Sequence, residues 1–231
     1  MYKIKQTYRI TSFFANKAKY VFLIAIALFI VSCEKWYDTE EVSHVSYLPE
    51  FEIKGGEFLS YVVTDSAEYT DQGALAFEKD RELEVISIGE VDLTEVGVYI
   101  IAYYAFNRDG LLGIGERIVA VTNEDVSGND LSGKYETSRW GEKVEMKVTK
   151  IDNNGLYKCS EVFGYPGSEM KGKIVDLGDH ELVLVHGEGD FGRFASTLGE
   201  YTLSSLSLTV KLIDEQYNNL ELGIFWRRVK D

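Results

Sequence analysis

An all-β protein with two antiparallel domains is what the sequence predicts, on three observations. From residue 45 onward, β-branched and aromatic residues fall in short runs broken by Gly, Asn and Asp. No 3.6-residue apolar period survives beyond the N-terminal segment. A polar, Gly-containing stretch, Asn123-Glu124-Asp125-Val126-Ser127-Gly128-Asn129-Asp130, divides the strand-bearing region as a domain boundary does.

The N-terminus carries Lys3, Lys5, Arg9, Lys17 and Lys19 and then an unbroken apolar run, residues 21–31. That run is about half of the ~20 residues a helix needs to span the hydrocarbon core, so it reads as a signal-peptide apolar region and not as a membrane span. It ends in Ile30-Val31-Ser32-Cys33, a branched residue, a small residue, then cysteine. This resembles the lipobox of bacterial lipoproteins. The resemblance implies removal of residues 1–32, lipid attachment at Cys33 and a tether over 33–47. Lipidation would then replace a transmembrane helix, each buried methylene contributing about 0.8 kcal/mol. The acidic stretch Glu34-Lys35-Trp36-Tyr37-Asp38-Thr39-Glu40-Glu41 is similar to the export signal of Bacteroides-type surface lipoproteins, which implies an outer-membrane, cell-surface location.

Charge limits the partners. Losing the five N-terminal cations takes the net charge from −14 to −19, and no Lys/Arg cluster is available to displace the counterions of a phosphate backbone, so nucleic acid and anionic lipid head groups are not expected as ligands. With Cys33 lipidated, Cys159 has no disulfide partner. It alternates with Tyr157 and Phe163 and is expected to be a small buried hydrophobe.

In the first half, strands are predicted at residues 58–64, 83–88, 98–106 and 116–122, the third apolar on both faces and therefore central. Asn107-Arg108-Asp109-Gly110 is the hairpin turn between the last two, since these residues tolerate positive φ. The order Tyr69-Thr70-Asp71-Gln72-Gly73, Gly97-Val98-Tyr99, Tyr103-Ala105-Asn107 and Arg117-Val119-Val121 resembles bacterial immunoglobulin-like domains over residues 48–123. Gln72 and the long turn Leu111-Leu112-Gly113-Ile114-Gly115 depart from the family's pattern. The resemblance implies a β-sandwich used as a spacer or adhesive module, and no catalytic residue.

After the linker 124–130, residues 131–231 read as a meander with strands at 133–138, 144–151, 156–163, 171–177, 181–186, 201–213 and 220–229, enough for a barrel or a second sandwich. The opening Leu131-Ser132-Gly133-Lys134-Tyr135 is similar to the second domain of uncharacterised Bacteroides-type surface lipoproteins. It also resembles a lipocalin opening, over too few residues to imply a ligand cavity.

Little points to catalysis. Gly187-Glu188-Gly189-Asp190-Phe191-Gly192 matches G-x-G-x-x-G, but no helix follows and the loop bears two carboxylates, so a Gly-rich hairpin is expected and not a phosphate site. His44, His180 and His186 lack zinc spacing, and no G-x-S-x-G elbow occurs. No enzyme activity and no cofactor are expected. The weak calcium candidates are Glu124, Asp125, Asn129 and Asp130, hard oxygen donors in one segment. Trp226 alternates with Leu222 and Ile224 and should face the core, whereas Trp36 lies in the tether. Trp140 sits in Ser138-Arg139-Trp140-Gly141-Glu142, a hairpin tip, where an aromatic either caps a barrel end or contacts a ligand. Tyr165, in Phe163-Gly164-Tyr165-Pro166-Gly167, presents the same choice.

Two functions follow. One is glycan binding through Trp140 and Tyr165 in support of polysaccharide capture, with which surface lipoproteins of this domain pairing are associated. The other is a structural or adhesive module that contacts a protein partner, such as an outer-membrane protein. The position of the two aromatics relative to each other separates these readings.

Overall fold

Alternation of apolar and polar side chains is the rule that builds both halves of the molecule, and the computed structural model describes residues 45–230. Cys33, Trp36 and the expected signal segment lie outside the described residues.

The first seven strands are β1 (Glu50–Ile53), β2 (Phe58–Val62), β3 (Ala74–Glu78), β4 (Arg81–Leu83), β5 (Ile86–Ile88), β6 (Gly97–Phe106) and β7 (Leu112–Thr122). They form a sheet β1-β3-β4 and a sheet β2-β7-β6-β5, with β2 parallel to β7 and the other pairs antiparallel. Ile101, Tyr103, Ala105 and Val119 point between the sheets and meet Phe51, Ala76 and Leu83. Within this sandwich Arg117 is fully buried. Its guanidinium donates to Asp71 and to the Lys54 carbonyl, and at 3.0 Å to the Gly56 carbonyl. The Tyr103 hydroxyl donates to Asp71 at 2.9 Å. A buried charge is tolerable because each guanidinium nitrogen finds an acceptor. These are the motif residues that the first-half strand pattern singled out, gathered into one network.

Two expectations need correction here. The strand expected over 83–88 is two short strands in different sheets, because Val85 packs into the clusters on both sides of the bend. The turn expected at Leu111–Gly115 is the start of β7: a Cβ on Gly113 would lie 2.6 Å from Pro49 and one on Gly115 2.8 Å from Phe51, so the glycines let β1 and its approach pack directly on the strand.

The remaining strands are β8 (Gly133–Arg139), β9 (Glu142–Asp152), β10 (Leu156–Cys159), β11 (Gly172–Gly178), β12 (Glu181–Val185), β13 (Gly187–Gly189), β14 (Gly192–Ala195), β15 (Thr197–Thr202), β16 (Ser205–Leu212) and β17 (Glu221–Arg228). The order β16-β15-β12-β11-β10-β9-β8-β17, with β17 paired back to β16, closes an eight-stranded antiparallel barrel. The barrel-or-sandwich alternative is thereby resolved in favour of the barrel. Its interior is filled by Tyr135, Met146, Tyr157, Met170, Phe194 and Trp226, as small barrels require. Strand β9 shows the pattern plainly, with Val144, Met146 and Val148 buried between exposed neighbours. The G-x-G-x-x-G segment forms the hairpin β13–β14, as expected. The strand expected over 201–213 is instead the hairpin β15–β16. The one expected over 156–163 ends at Cys159, for a reason given below.

Strand β6 has apolar residues on both faces because the outer one also packs: Val98 and Ile100, with Ile118 and Ala120 of β7, lie against Leu156, Val175, Leu177, Val183 and Val185 of the barrel. Segment 124–130 is likewise packed. Val126 is buried, Asn129 donates to Asp176 at 2.9 Å, and the Asn129 carbonyl accepts from Tyr157 at 3.0 Å and from Lys150 at 2.9 Å.

A second contact joins sandwich and barrel: His186 Nε2 lies 3.1 Å from both carboxylate oxygens of Glu116. This hydrogen bond raises the His186 pKa above its ordinary 6.5, against opposing burial and Lys173, and lowers that of Glu116 below 4.5. The His186 contribution is complete below about pH 6.5 and is lost as pH rises through the raised value. The Glu116 contribution is complete above about pH 4.5 and is lost as pH falls through the lowered value. An NMR titration should place the His186 midpoint above 6.5, and Glu116→Gln should return it toward the ordinary value. A wild-type midpoint at or below the variant's contradicts the contact.

Candidate binding surface at one barrel end

The connections β8–β9, β10–β11 and β13–β14 emerge at the same end of the barrel, and each contributes an aromatic side chain. The Trp140 and Tyr165 rings meet edge to face with centroids 4.9 Å apart, and Phe191 lies 5.2 Å from Tyr165. Phe163 lies below them, 4.8 Å from Phe191. Arg139 places its guanidinium 5.6 Å from the Trp140 ring and 5.6 Å from the Phe163 ring, within cation–π reach. The two residues expected to matter together are thus in contact. Phe163, only 4% exposed, caps the barrel, whereas Trp140 is 73% exposed and does not.

Local backbone chemistry explains the tip. Arg139 and Glu142 pair across the hairpin, leaving Trp140 and Gly141 as a two-residue loop with φ of 53° and 83°. Two positive φ angles are the signature of a type I′ turn, for which Asn-Gly is the favoured pair. A bulky residue in the left-handed region costs on the order of 1 kcal/mol, and exposing an indole forgoes its burial. The edge-to-face contact with Tyr165 and the Arg139 guanidinium over the ring offset part of these costs, while most of the indole stays in solvent.

The Tyr165 loop is organised by a residue that the sequence reading passed over. Glu161 is 5% exposed. Its Oε1 accepts from the amides of Phe163 at 2.7 Å and Gly164 at 2.9 Å, and its Oε2 accepts from the Met170 amide and the Ser168 hydroxyl, each at 3.0 Å. Buried amides need partners. Glu161 supplies them once β10 stops pairing at Cys159, which is why the expected strand breaks there. The signal was visible: Glu161 has the same alternation parity as Tyr157, Cys159 and Phe163, all inward, and an inward carboxylate needs donors. Asp190 adds a tie between loops by accepting from the Glu169 amide at 2.7 Å.

This loop also fills a gap in the barrel wall. Strands β8 and β17 pair only at Tyr135↔Arg228 and Glu136↔Arg227 and then diverge. Gly164 occupies the opening, where a Cβ would lie 3.0 Å from Ile224 and 3.1 Å from Thr137. Outside it runs a groove of about 560 Å³ with Glu136, Ser138, Arg139, Lys143, Phe225 and Arg227 among its lining residues.

The other sequence candidates do not converge. Glu124 accepts from the Asp179 amide, Asp125 from the Ser127 amide, and Asp130 from Ser132, while Asn129 faces Asp176. Among the described residues, no three His, Cys, Asp or Glu side chains are grouped to hold a metal ion. The calcium candidates therefore do not gather into one site: Asp125 and Asp130 cap local turns, whereas Glu124 and Asn129 reach to the distant Asp179 and Asp176. Cys159 is buried, and burial pushes its thiol up to about 12, which suits a packing role. Trp226 is fully buried, as its alternation implied.

Replacing Glu161 with Ala strands three buried amides. Unfolding in urea should show a loss of about 3 kcal/mol. A loss below about 0.5 kcal/mol, the range of an ordinary surface substitution, contradicts the role assigned to it.

No family model matches the chain, and no curated protein matches it by sequence. Among solved structures, it is similar to the lipoprotein BT2262 from Bacteroides thetaiotaomicron, at 20% identity over 78% of this chain and 100% of that one, with a TM-score of 0.33. It is also similar to a Clostridium perfringens ZmpB structure comprising CBM51-2 in complex with GlcNAc and INT domains, at 16% identity over 78% of this chain and 41% of that one, TM-score 0.27. A third similar structure holds the M60 catalytic domain of the same ZmpB with CBM51-1 and CBM51-2, at 17% identity over 60% of this chain and 14% of that one, TM-score 0.26. At this distance the likenesses settle neither fold nor function.

Proposed function

We propose that the protein is a non-catalytic lipoprotein, anchored in the outer membrane through Cys33 and displayed at the cell surface, that binds glycan on the Trp140–Tyr165 platform. The immunoglobulin-like reading of the sandwich makes it the spacer between anchor and barrel. One observation carries the glycan reading: a strained, 73% exposed tryptophan is held edge-on against a tyrosine on a rigid barrel end. Sugar rings present CH faces that stack on such aromatics, and sites of this kind occur on loops held by rigid β scaffolds. The packed barrel interior directs binding to the outside.

The alternative, a module that contacts a protein partner, has one observation of its own. On the outer face of the four-stranded sheet, beyond the part covered by the barrel, Ile86, Ile88, Phe106, Leu112 and Ile114 are exposed side by side, and β5 is an edge strand. Exposed apolar edges are sites of protein association.

Tryptophan fluorescence of the whole chain in detergent, titrated with plant, host and microbial polysaccharides, separates the two, since Trp226 is buried and Trp140 is open to ligand. A saturable shift should appear and be lost in Trp140→Ala. Trp140→Asn should lose it as well while stabilising the hairpin by about 1 kcal/mol, because Asn suits the left-handed turn. Silence across the panel overturns the glycan reading in favour of protein contact.

A further inference from the structure

The groove beside the platform has a charge at odds with the rest of the chain. The protein has 38 Asp and Glu against 24 Lys and Arg, yet three cations, Arg139, Lys143 and Arg227, line this groove against one carboxylate, Glu136. Lys143 neutralises Glu136 at 2.9 Å. The two arginines retain unused donors. The Arg227 side chain makes no hydrogen bond or ion pair among the described residues. Arg139 makes one hydrogen bond, from Nη1 to the Phe163 carbonyl at 3.4 Å. Phe225 is 57% exposed and lies two residues from Arg227 on the outward face of β17, opposite in sense to the buried Ile224 and Trp226. Gly223, next on that face, adds no side chain.

From these features we infer that the groove seats a carboxylate-bearing sugar residue, a reading that rests on the glycan platform proposed above. Guanidinium groups with free, planar donor sets match a carboxylate in geometry and charge. The Phe225 ring offers an apolar face for the pyranose, and Glu136 offers oxygens for its hydroxyls. Because Arg139 also lies against the Trp140 ring, groove and platform are continuous, and a chain of sugars can occupy both. The chain's negative charge does not oppose this at contact range. At physiological ionic strength the Debye length is about 8 Å, so a bound carboxylate responds chiefly to its nearest charges.

The test is isothermal titration of the whole chain in detergent with polygalacturonic acid, hyaluronan and polysialic acid. Each is paired with its carboxyl-reduced form, and dextran sulfate serves as a carboxyl-free polyanion. At least one acidic polymer should bind about tenfold more tightly than its reduced form, the difference one charge-assisted contact supplies. That advantage should shrink between about 0.05 and about 0.5 M salt. It should disappear in Arg227→Gln while affinity for the reduced polymer is unchanged. If the reduced form binds as well, or dextran sulfate binds equally, the acidic-sugar inference is overturned. The platform then stands or falls on whether Trp140→Ala abolishes binding. If no carbohydrate binds at all, both readings are overturned.

Discussion

Strand β17 closes the barrel, but it pairs with β8 through only two residue pairs before the strands separate. The placement of the Tyr165 loop follows from that incomplete seam. An opening in the wall of a small barrel exposes its core and leaves strand edges without partners, so something must fill it. The Phe163-Gly164-Tyr165 segment does so, with a glycine at the one point where a methyl group would meet Ile224 and Thr137 within about van der Waals contact. Entering the gap takes the chain out of the sheet and deprives its amides of ladder partners. The buried Glu161 carboxylate answers that need with four hydrogen bonds. Seam, glycine and carboxylate are therefore one device, and its surface product is the fixed position of Tyr165.

Trp140 is then distinguished by what it does not contribute. Phe163 already closes the barrel end, so the indole is free to stand in solvent from a turn whose geometry it fits poorly. Native proteins retain local costs of this kind where activity requires them, and stability elsewhere offsets them. Here the offset is a barrel interior filled by large apolar and aromatic residues. The sandwich has its own internal support in the Arg117–Asp71–Tyr103 network and shares a second apolar cluster with the barrel through Ile118 and Ala120.

Much of this was legible in the sequence. Strand β9 alternates without exception from Lys143 to Val148, β6 is apolar on both faces, and the Asn107–Gly110 turn ends in a glycine at positive φ. The G-x-G-x-x-G segment read correctly as a hairpin because no helix pattern followed it. What was not legible depends on contacts between distant segments. The break between Leu83 and Ile86 arises from Val85 serving two clusters, and the glycines of β7 make sense only once Pro49 and Phe51 lie on them. Whether Trp140 caps or contacts could not be decided from its own neighbours, because the answer lies with Phe163, more than twenty residues away in the chain. The cationic groove draws on β8, β9 and β17 and has no local motif at all.

The loop beneath the platform is a rigid plug in the barrel seam and not a surface excursion. Native-state hydrogen exchange at the Phe163, Gly164 and Met170 amides tests it most directly, since exchange reports the free energy needed to open each hydrogen bond. Protection comparable to that of the β9 and β16 amides is expected, with exchange proceeding through global unfolding although the residues lie outside any strand. Exchange of these amides at the rate of a freely opening loop, while the strands stay protected, would show the segment to be a surface excursion instead.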